Sequence, residues 1–229
     1  MGLQAYARLL TEPLVIGSLT LPTGTLVEKN LNYYTAAHLH EETLVCGHKL
    51  QSESVYLQAY SDGSYSFSLA FDKETEVQGF KLAIDKKSYN RKVNVSFHDN
   101  CVIKSGLLAA ARTVNGFPLA AGKKFELDQN GDVLTATTGA PYKIKDIEIS
   151  EGIKLSYKRN YSVGVMLFKG GAVFDREREF KSDFMQIYEN GVIARGILGK
   201  STIISGKEYP EGTSLLFEPN GTLVKAELP

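Results

Sequence analysis

Asparagine–glycine pairs recur along this chain at a fixed interval. Asn130, Asn160, Asn190 and Asn220 are spaced 30 residues apart, and a glycine follows each of them except Asn160. An Asn-Gly pair favours the type I′ turn of a β-hairpin, because both central residues of that turn need a positive φ. A chain with turns at this spacing is expected to fold as a series of short strands.

Two further sets of turn residues keep the same period. Their members are Gly116, Asp146 and Gly206 in one set, and Gly122, Gly152 and Gly212 in the other. Apolar and polar residues alternate between these positions, which is the pattern of half-buried strands. Looser copies begin at Val15, Val45 and Val77, and a degenerate copy runs from Phe174 to Ile187. The sequence therefore predicts an all-β array of seven units, each with about three short, mostly antiparallel strands, in a single domain over residues 1–229.

The predicted array starts in the middle of a unit. Leu3 to Leu10 resembles the third strand of a missing unit, and Leu223 to Leu228 is the same kind of strand at the other end. No segment has a persuasive helical periodicity. A flat sheet of this length would leave both faces in water. We therefore expect a curled or folded-over sheet, with a β-solenoid of one turn per unit as the alternative.

The unit that best keeps the pattern is the last one, from Ser205-Gly206 through Gly212-Thr213 to Asn220-Gly221. Its order of Val/Ile-x-Gly, glycine turn, apolar pair, Asn-Gly and final leucine resembles uncharacterised bacterial β-repeat proteins and, loosely, MORN repeats. MORN units are shorter and carry a Tyr-x-Gly-x-Trp core, whereas this chain has no tryptophan. The resemblance implies a β-repeat architecture and no particular catalytic or binding residue.

Composition and motifs argue against several functional classes. The chain has 26 basic and 26 acidic residues, so no excess positive charge is available for nucleic-acid phosphates. No apolar run approaches the ~20 residues that span a bilayer. No phosphate-binding glycine loop or nucleophile elbow is present, which favours a protein that is not an enzyme. Met1 to Gln4 has no signal-peptide character, which slightly favours the cytoplasm, with export as the alternative if a signal peptide has been removed.

Histidine and cysteine cluster in one short segment. The cluster consists of His38, His40, Cys46 and His48. A hairpin turning at Glu42 would place all four side chains on one face, with opposed residues about 5 Å apart. Imidazole and thiolate are zinc ligands, so this face is a candidate zinc site. The alternative is a solvated polar face. Cys46 and Cys101 are too few for a disulfide framework and would pair only if the fold brings them together.

Tyrosines are concentrated in the second predicted unit. They are Tyr33, Tyr34, Tyr56, Tyr60 and Tyr65. Such a set would line a surface for a sugar or a peptide, and the alternative is ordinary cross-strand packing.

Together these features predict a non-catalytic structural or interaction module that presents an extended β surface to a macromolecular partner, most simply a protein. Open sheet edges would also allow oligomers to form. Two alternatives stay open at this point: a metal-binding protein that uses the His/Cys hairpin, and a β-trough that binds a lipid or a glycan.

Overall fold

The computed structural model describes residues 6–30, 33–50, 54–60, 63–87, 91–145, 147–158, 165–169, 172–175, 178–188 and 190–229. All regular secondary structure in these residues is β. No described segment forms a helix that is long and apolar enough to cross a membrane.

The first strands are β1 (Tyr6–Leu9), β2 (Leu14–Ile16), β3 (Leu19–Leu21), β4 (Leu26–Asn30), β5 (Tyr33–His38), β6 (Thr43–Val45), β7 (His48–Leu50), β8 (Ser54–Ala59), β9 (Tyr65–Phe71), β10 (Thr75–Val77), β11 (Phe80–Leu82), β12 (Val93–His98), β13 (Ile103–Leu107) and β14 (Arg112–Val114). The others are β15 (Phe117–Leu119), β16 (Lys124–Leu127), β17 (Val133–Thr137), β18 (Tyr142–Ile144), β19 (Ile147–Ile149), β20 (Lys154–Lys158), β21 (Val165–Lys169), β22 (Ala172–Asp175), β23 (Arg178–Ile187), β24 (Ile193–Leu198), β25 (Thr202–Ile204), β26 (Lys207–Tyr209), β27 (Ser214–Phe217) and β28 (Leu223–Glu227).

Short hairpins alternate with longer strands along the chain. The short hairpins are β2–β3, β6–β7, β10–β11, β14–β15, β18–β19 and β25–β26. Residues 112–137 hold β14 to β17, which is four strands where the sequence predicts about three. The predicted count is wrong because the Asn115-Gly116 turn divides the predicted first strand into two.

The two kinds of turn differ in backbone conformation. At four of the short hairpins, β6–β7, β10–β11, β14–β15 and β25–β26, both turn residues have positive φ, as at Asn115 (47°) and Gly116 (82°), which is the type I′ pattern; at β2–β3 only Gly17 has positive φ. At the Asn-Gly positions only the glycine has positive φ, and Gly131 N–H donates to the Asp128 carbonyl at 3.0 Å. This is a three-residue loop with a left-handed glycine. The type I′ turn predicted at Asn130-Gly131 is therefore wrong, and that turn type occurs at the short hairpins.

Contacts divide the chain into two compact units. The first comprises Met1–Ala109 with Leu127–Asp132, and the second comprises Ala110–Glu126 with Val133–Pro229. The single domain over residues 1–229 stays a prediction.

In the first unit, β1, β4, β5, β8, β9, β12 and β13 pair in that order, each antiparallel to the next. One face of this sheet is apolar and at most 6% exposed; it includes Val27, Ala37, Val55, Leu57, Phe67, Leu69, Val95 and Phe97. The other face is more polar, as the period of two along each strand requires.

In the second unit, β17, β20, β21 and β23 pair in succession, and β23, β24, β27 and β28 continue in the same manner. Its buried side chains include Phe180, Ile193, Leu198, Leu215 and Phe217. A solenoid would need parallel pairing between successive turns. All described pairings are antiparallel, so the solenoid alternative is wrong for these residues, and the curling of the sheet stays a prediction.

Successive turns that contain an asparagine before a left-handed residue are joined by side-chain bonds. In the first unit, Asn100 Nδ2 donates to the Gln129 carbonyl at 3.0 Å. In the second unit, Asn190 Nδ2 donates to the Pro219 carbonyl at 2.7 Å. Each bond spans 29 residues of sequence. The turn asparagine therefore holds the next turn at a fixed spacing.

Candidate functional site

The two strands that the predicted histidine–cysteine hairpin would join do not pair with each other. β5 pairs with β4 and β8, whereas β6 pairs with β7. The turn lies at Cys46-Gly47, where φ is 47° and 83°. The hairpin predicted to turn at Glu42 is therefore wrong, because the two residues that adopt positive φ stand four positions later.

The four predicted zinc ligands have other partners. His38 Nε2 lies 2.8 Å from Glu28 Oε1, and His40 Nε2 lies 3.9 Å from Glu41 Oε2. The His48 ring is 6.0 Å from the Phe71 ring, and burial lowers the pKa of His48. No group of three or more metal-ligating side chains occurs within the described part of the chain.

Cys46 forms a disulfide with Cys101 across a Cα–Cα distance of 5.1 Å. A disulfide sulfur is not a thiolate, so zinc binding by Cys46 would require the reduced chain. Closing a loop of 55 residues stabilises the folded state by about 4 kcal/mol on the chain-entropy model. Cys101 has a φ of 63°, and its N–H donates to the carbonyl three residues earlier, as the N–H of Gly131 does 30 residues later. A side chain is strained there, so the disulfide offsets a local cost.

Three short hairpins meet at the turn that contains Cys101. Ser18 N–H donates to the Asp99 carbonyl at 2.9 Å, and Gln78 Nε2 donates to the Cys101 carbonyl at 2.6 Å. The disulfide from Cys46 is the third contact. We call Asp99, Asn100 and Cys101 the turn hub. It fixes the short hairpins of the first unit against one loop.

The predicted tyrosines separate by face. Alternation along β8 and β9 puts Tyr56 on the polar face and Tyr65 on the opposite one, so Tyr65 does not belong to a common surface. Tyr34 accepts a hydrogen bond from Arg8 Nη2 at 3.1 Å. The side chain of Tyr33 lies outside the described residues.

Tyr60 is held by two polar neighbours. Its hydroxyl bonds to Ser66 Oγ at 3.1 Å, and Lys104 Nζ donates to the same hydroxyl. The ammonium group also lies 4.8 Å from the centre of the Tyr60 ring, within cation–π distance. These contacts hold the ring of Tyr60 in place beside the ammonium group of Lys104.

A row of small hydroxyls continues from Tyr56 across the sheet. The register places Tyr56 opposite Ser68, Ser68 opposite Ser96, and Ser96 opposite Ser105. Ser68 Oγ and Ser96 Oγ are hydrogen-bonded at 2.8 Å. We call Tyr56, Tyr60, Ser68, Ser96 and Ser105 the hydroxyl face; Ser66 points to the same side but is only 3% exposed. The hydroxyl face is the polar side of the sheet whose other side is the core of the first unit.

Sequence reasoning found the tyrosines and missed the serines. The signal was present in Tyr65-Ser66-Phe67-Ser68-Leu69, where serine alternates with buried apolar residues. Reading that period of two would have placed both serines on the face opposite the core.

The second unit carries two open depressions. One of about 240 Å³ is lined by Arg195, Ser214, Leu216, Lys225 and Glu227. The other, of about 590 Å³, lies between β25–β26 and the turn after β27, and includes Lys207, Tyr209 and Asn220. A hydrogen bond from Lys225 lowers the pKa of Glu227. Both depressions are open to solvent and mixed in polarity, unlike the enclosed apolar trough of the lipid alternative.

A comparison of the chain with protein families, curated proteins and solved structures finds no match.

Proposed function

We propose that this protein is a non-catalytic β-repeat module, loosely MORN-like in its repeat, that binds a protein partner through the hydroxyl face. The observation that carries the proposal is the continuous row of tyrosine and serine across four strands of the first unit. The repeat supports it because equal units set side chains at regular intervals along an extended surface.

The chemistry of this face suits recognition of a protein. Tyr56 is 53% exposed, and a tyrosine ring offers a large amphipathic contact area while losing few rotamers. Serine hydroxyls beside it donate and accept without a fixed charge, so they adapt to a partner's backbone groups. The same pairing of rigid tyrosine with small adaptable hydroxyls is enriched in antibody binding loops.

The arrangement of His98 beside the serine row favours recognition over catalysis. His98 stands directly opposite Ser66, but its Nε2 lies 2.9 Å from the Leu127 carbonyl, and Ser66 bonds to Tyr60. Nucleophilic catalysis needs the base to bond to the serine hydroxyl. Here the ring nitrogen serves the contact between neighbouring turns.

Photo-crosslinking tests the proposal. A benzophenone amino acid placed at Tyr56 is expected to capture a partner in cells that produce the protein, and the same probe at Val15 is the control. Val15 is 66% exposed and lies on a short hairpin away from the sheet face. Equal capture at both positions would contradict the proposal. For the captured partner, Tyr56→Ala is expected to weaken binding about tenfold, as for a central aromatic contact.

A further inference from the structure

Neighbouring copies of the repeat are joined by one kind of strand pair. A closing strand of one copy, such as β17 or β24, pairs with the opening strand of the next, β20 or β27. The leucine at the end of the closing strand is then fixed by two backbone bonds. Leu198 N–H donates to the Thr213 carbonyl at 2.9 Å, and Gly212 N–H donates to the Leu198 carbonyl at 2.9 Å. Leu10 makes the same bonds with Thr25 and Gly24.

The closing strand β28 carries apolar residues at the positions that an opening strand buries in the other junctions, but here they are exposed. Leu228 stands where Leu10, Leu39 and Leu198 stand in earlier copies. Those three leucines are 4%, 4% and 0% exposed, whereas Leu228 is 67% exposed. Val224 is 55% exposed, whereas Ala194 at the corresponding position of β24 is 5% exposed. The apolar face of β28 therefore matches one that another opening strand buries elsewhere.

The first closing strand, β1, fits its own junction poorly. Arg8 lies directly opposite Val27, which is fully buried. The equivalent positions in later copies hold the small residues Ala37, Ala136 and Gly196. The Arg8 guanidinium turns away to the Tyr34 hydroxyl, and Leu9 on the outer side is 62% exposed. The polarity of β1 is thus reversed, with a charge on the core side and leucine on the solvent side.

β28 has the polarity that β1 lacks. In the register of the β1–β4 pair, β28 would place Ala226 opposite Val27, and Leu228 in the position of Leu10. Lys225 would stand opposite Glu28, which adds a pair of opposite charge. Ala226 would thus replace the mismatched Arg8 with the small residue type found at the other junctions.

We propose that β28 of one molecule displaces β1 of a second copy and pairs with its β4, so that molecules join head to tail. The reaction is a strand exchange with no covalent change, and its repetition would give an open chain of copies because the two ends differ. The inference rests on the repeat that the proposed function assumes. It adds a second copy of this chain as a partner at the sheet edge.

Sedimentation equilibrium tests the exchange. The full chain is refolded from urea at high concentration so that release of β1 does not limit the rate. The wild type is expected to exceed its monomer mass of 25.2 kDa as concentration rises. A wild type that stays monomeric throughout would overturn the proposal. If that monomer still captured a partner through Tyr56, the proposed function would stand while the exchange failed.

Two variants separate the two strands involved. Ala226→Arg puts a charge on the core side of β28 and is expected to raise the concentration for assembly by at least about tenfold. Arg8→Ala with Leu9→Glu improves the fit of β1 and should also weaken assembly, because β1 then resists displacement. Ala110→Arg, at an exposed alanine outside both strands, is the matched control. Assembly that is unchanged in the first two variants would refute strand exchange, provided that their far-UV circular dichroism matches the wild type.

A crosslink tests the register. Chains carrying Glu28→Cys are mixed with chains carrying Lys225→Cys and oxidised. A disulfide between residues 28 and 225 is expected in the mixed dimer and is identified by peptide mass spectrometry. Replacing Lys225→Cys by Thr222→Cys moves the thiol beyond the paired strand and should abolish that link. Equal linkage from both positions would contradict the proposed register.

Discussion

The same contact between a short hairpin and an Asn-Gly-type turn is held differently in the two units. In the first unit, Cys46 at the hairpin turn is joined covalently to Cys101. In the second, Lys145 occupies the hairpin turn and donates from Nζ to the Asn190 carbonyl, beside Gly191. Cys46 and Lys145 have nearly equal φ values, 47° and 52°. The hairpin turn therefore sets the backbone conformation at this position, and the side chain there forms a covalent bond in one unit and a hydrogen bond in the other.

This difference predicts unequal stability of the two contacts. A disulfide acts through the unfolded chain and survives local fluctuation, whereas a lysine bond at an exposed turn is in competition with water.

Removing the disulfide should have the largest effect. Cys46→Ser with Cys101→Gly is expected to lower the free energy of unfolding of the first unit by about 4 kcal/mol, offset by roughly 1 kcal/mol because glycine tolerates the left-handed turn. Urea unfolding followed by far-UV circular dichroism measures this, since the chain has no tryptophan. Reduction of the wild type by dithiothreitol should give the larger loss of the two, and an unchanged midpoint after complete reduction would show that the link stabilises nothing.

Replacing Gly191, which lies against Lys145, with alanine should cause the second-largest loss of stability. Gly191 has a φ of 81°, and a Cβ there would lie 2.7 Å from Lys145 Cδ. Gly131 has a φ of 84° with no atom within 4 Å of that position. Both alanine variants carry backbone strain of about 1 kcal/mol, and Gly191→Ala should cost more because Lys145 must also move. Equal losses in thermal unfolding would mean that the lysine contact is dispensable.

Breaking the bond between neighbouring turns should have a smaller effect in both units. Asn100→Ala and Asn190→Ala each remove one bond to the next turn and one local bond to a turn amide. We expect a loss of about 1 kcal/mol for each, because the bonds are exposed and neutral. Chemical denaturation compares the two variants. A loss in only one of them would show that the bond between neighbouring turns does not play the same role in both units.

The smallest structural effect is expected for Lys145→Ala, below about 1 kcal/mol, because the contact is exposed. Lys143→Ala is the control; Lys143 lies on β18, two residues before the turn lysine, and its Nζ lies 3.3 Å from Glu148 Oε1. A loss from Lys145→Ala as large as that from opening the disulfide would overturn the ranking of the two links.

Acid should weaken the first unit through His48. Burial lowers the pKa of His48 in the folded state, so the unfolded chain binds the proton more readily. Stability from this group is present above its ordinary pKa near 6.5 and is lost as pH falls toward the lower folded value. His48→Gln should flatten the dependence of the melting temperature on pH in this range, and an unchanged slope would assign the effect to other groups.

The positions of the turns could be predicted from the sequence, because glycine and asparagine carry the backbone preferences that fix them. The type of each turn could not be predicted. Asn130-Gly131 and Asn115-Gly116 are the same dipeptide, and they differ only in the loop length that the flanking strands allow. The disulfide needs a contact across 55 residues, which no local pattern contains.

Only part of the hydroxyl face could be predicted, because the rest depends on how distant strands pair. The tyrosines stand out by residue type, whereas the row from Ser68 to Ser105 exists only once the register of three strands is known. The polarity mismatch at Arg8 likewise becomes visible only when its partner Val27 is known to be buried.

The most direct test of a repeat of 30 residues is an in-phase deletion. Removing residues 191–220 joins Asn190 to Gly221 and should leave a chain that keeps its β spectrum and unfolds cooperatively, because β28 then takes the place of β24. Removing residues 191–215 deletes less of the chain but shifts the period, and should give an unfolded or aggregated product. If the two deletions behaved alike in circular dichroism and thermal unfolding, the units would not be equivalent and the account of this fold would be contradicted.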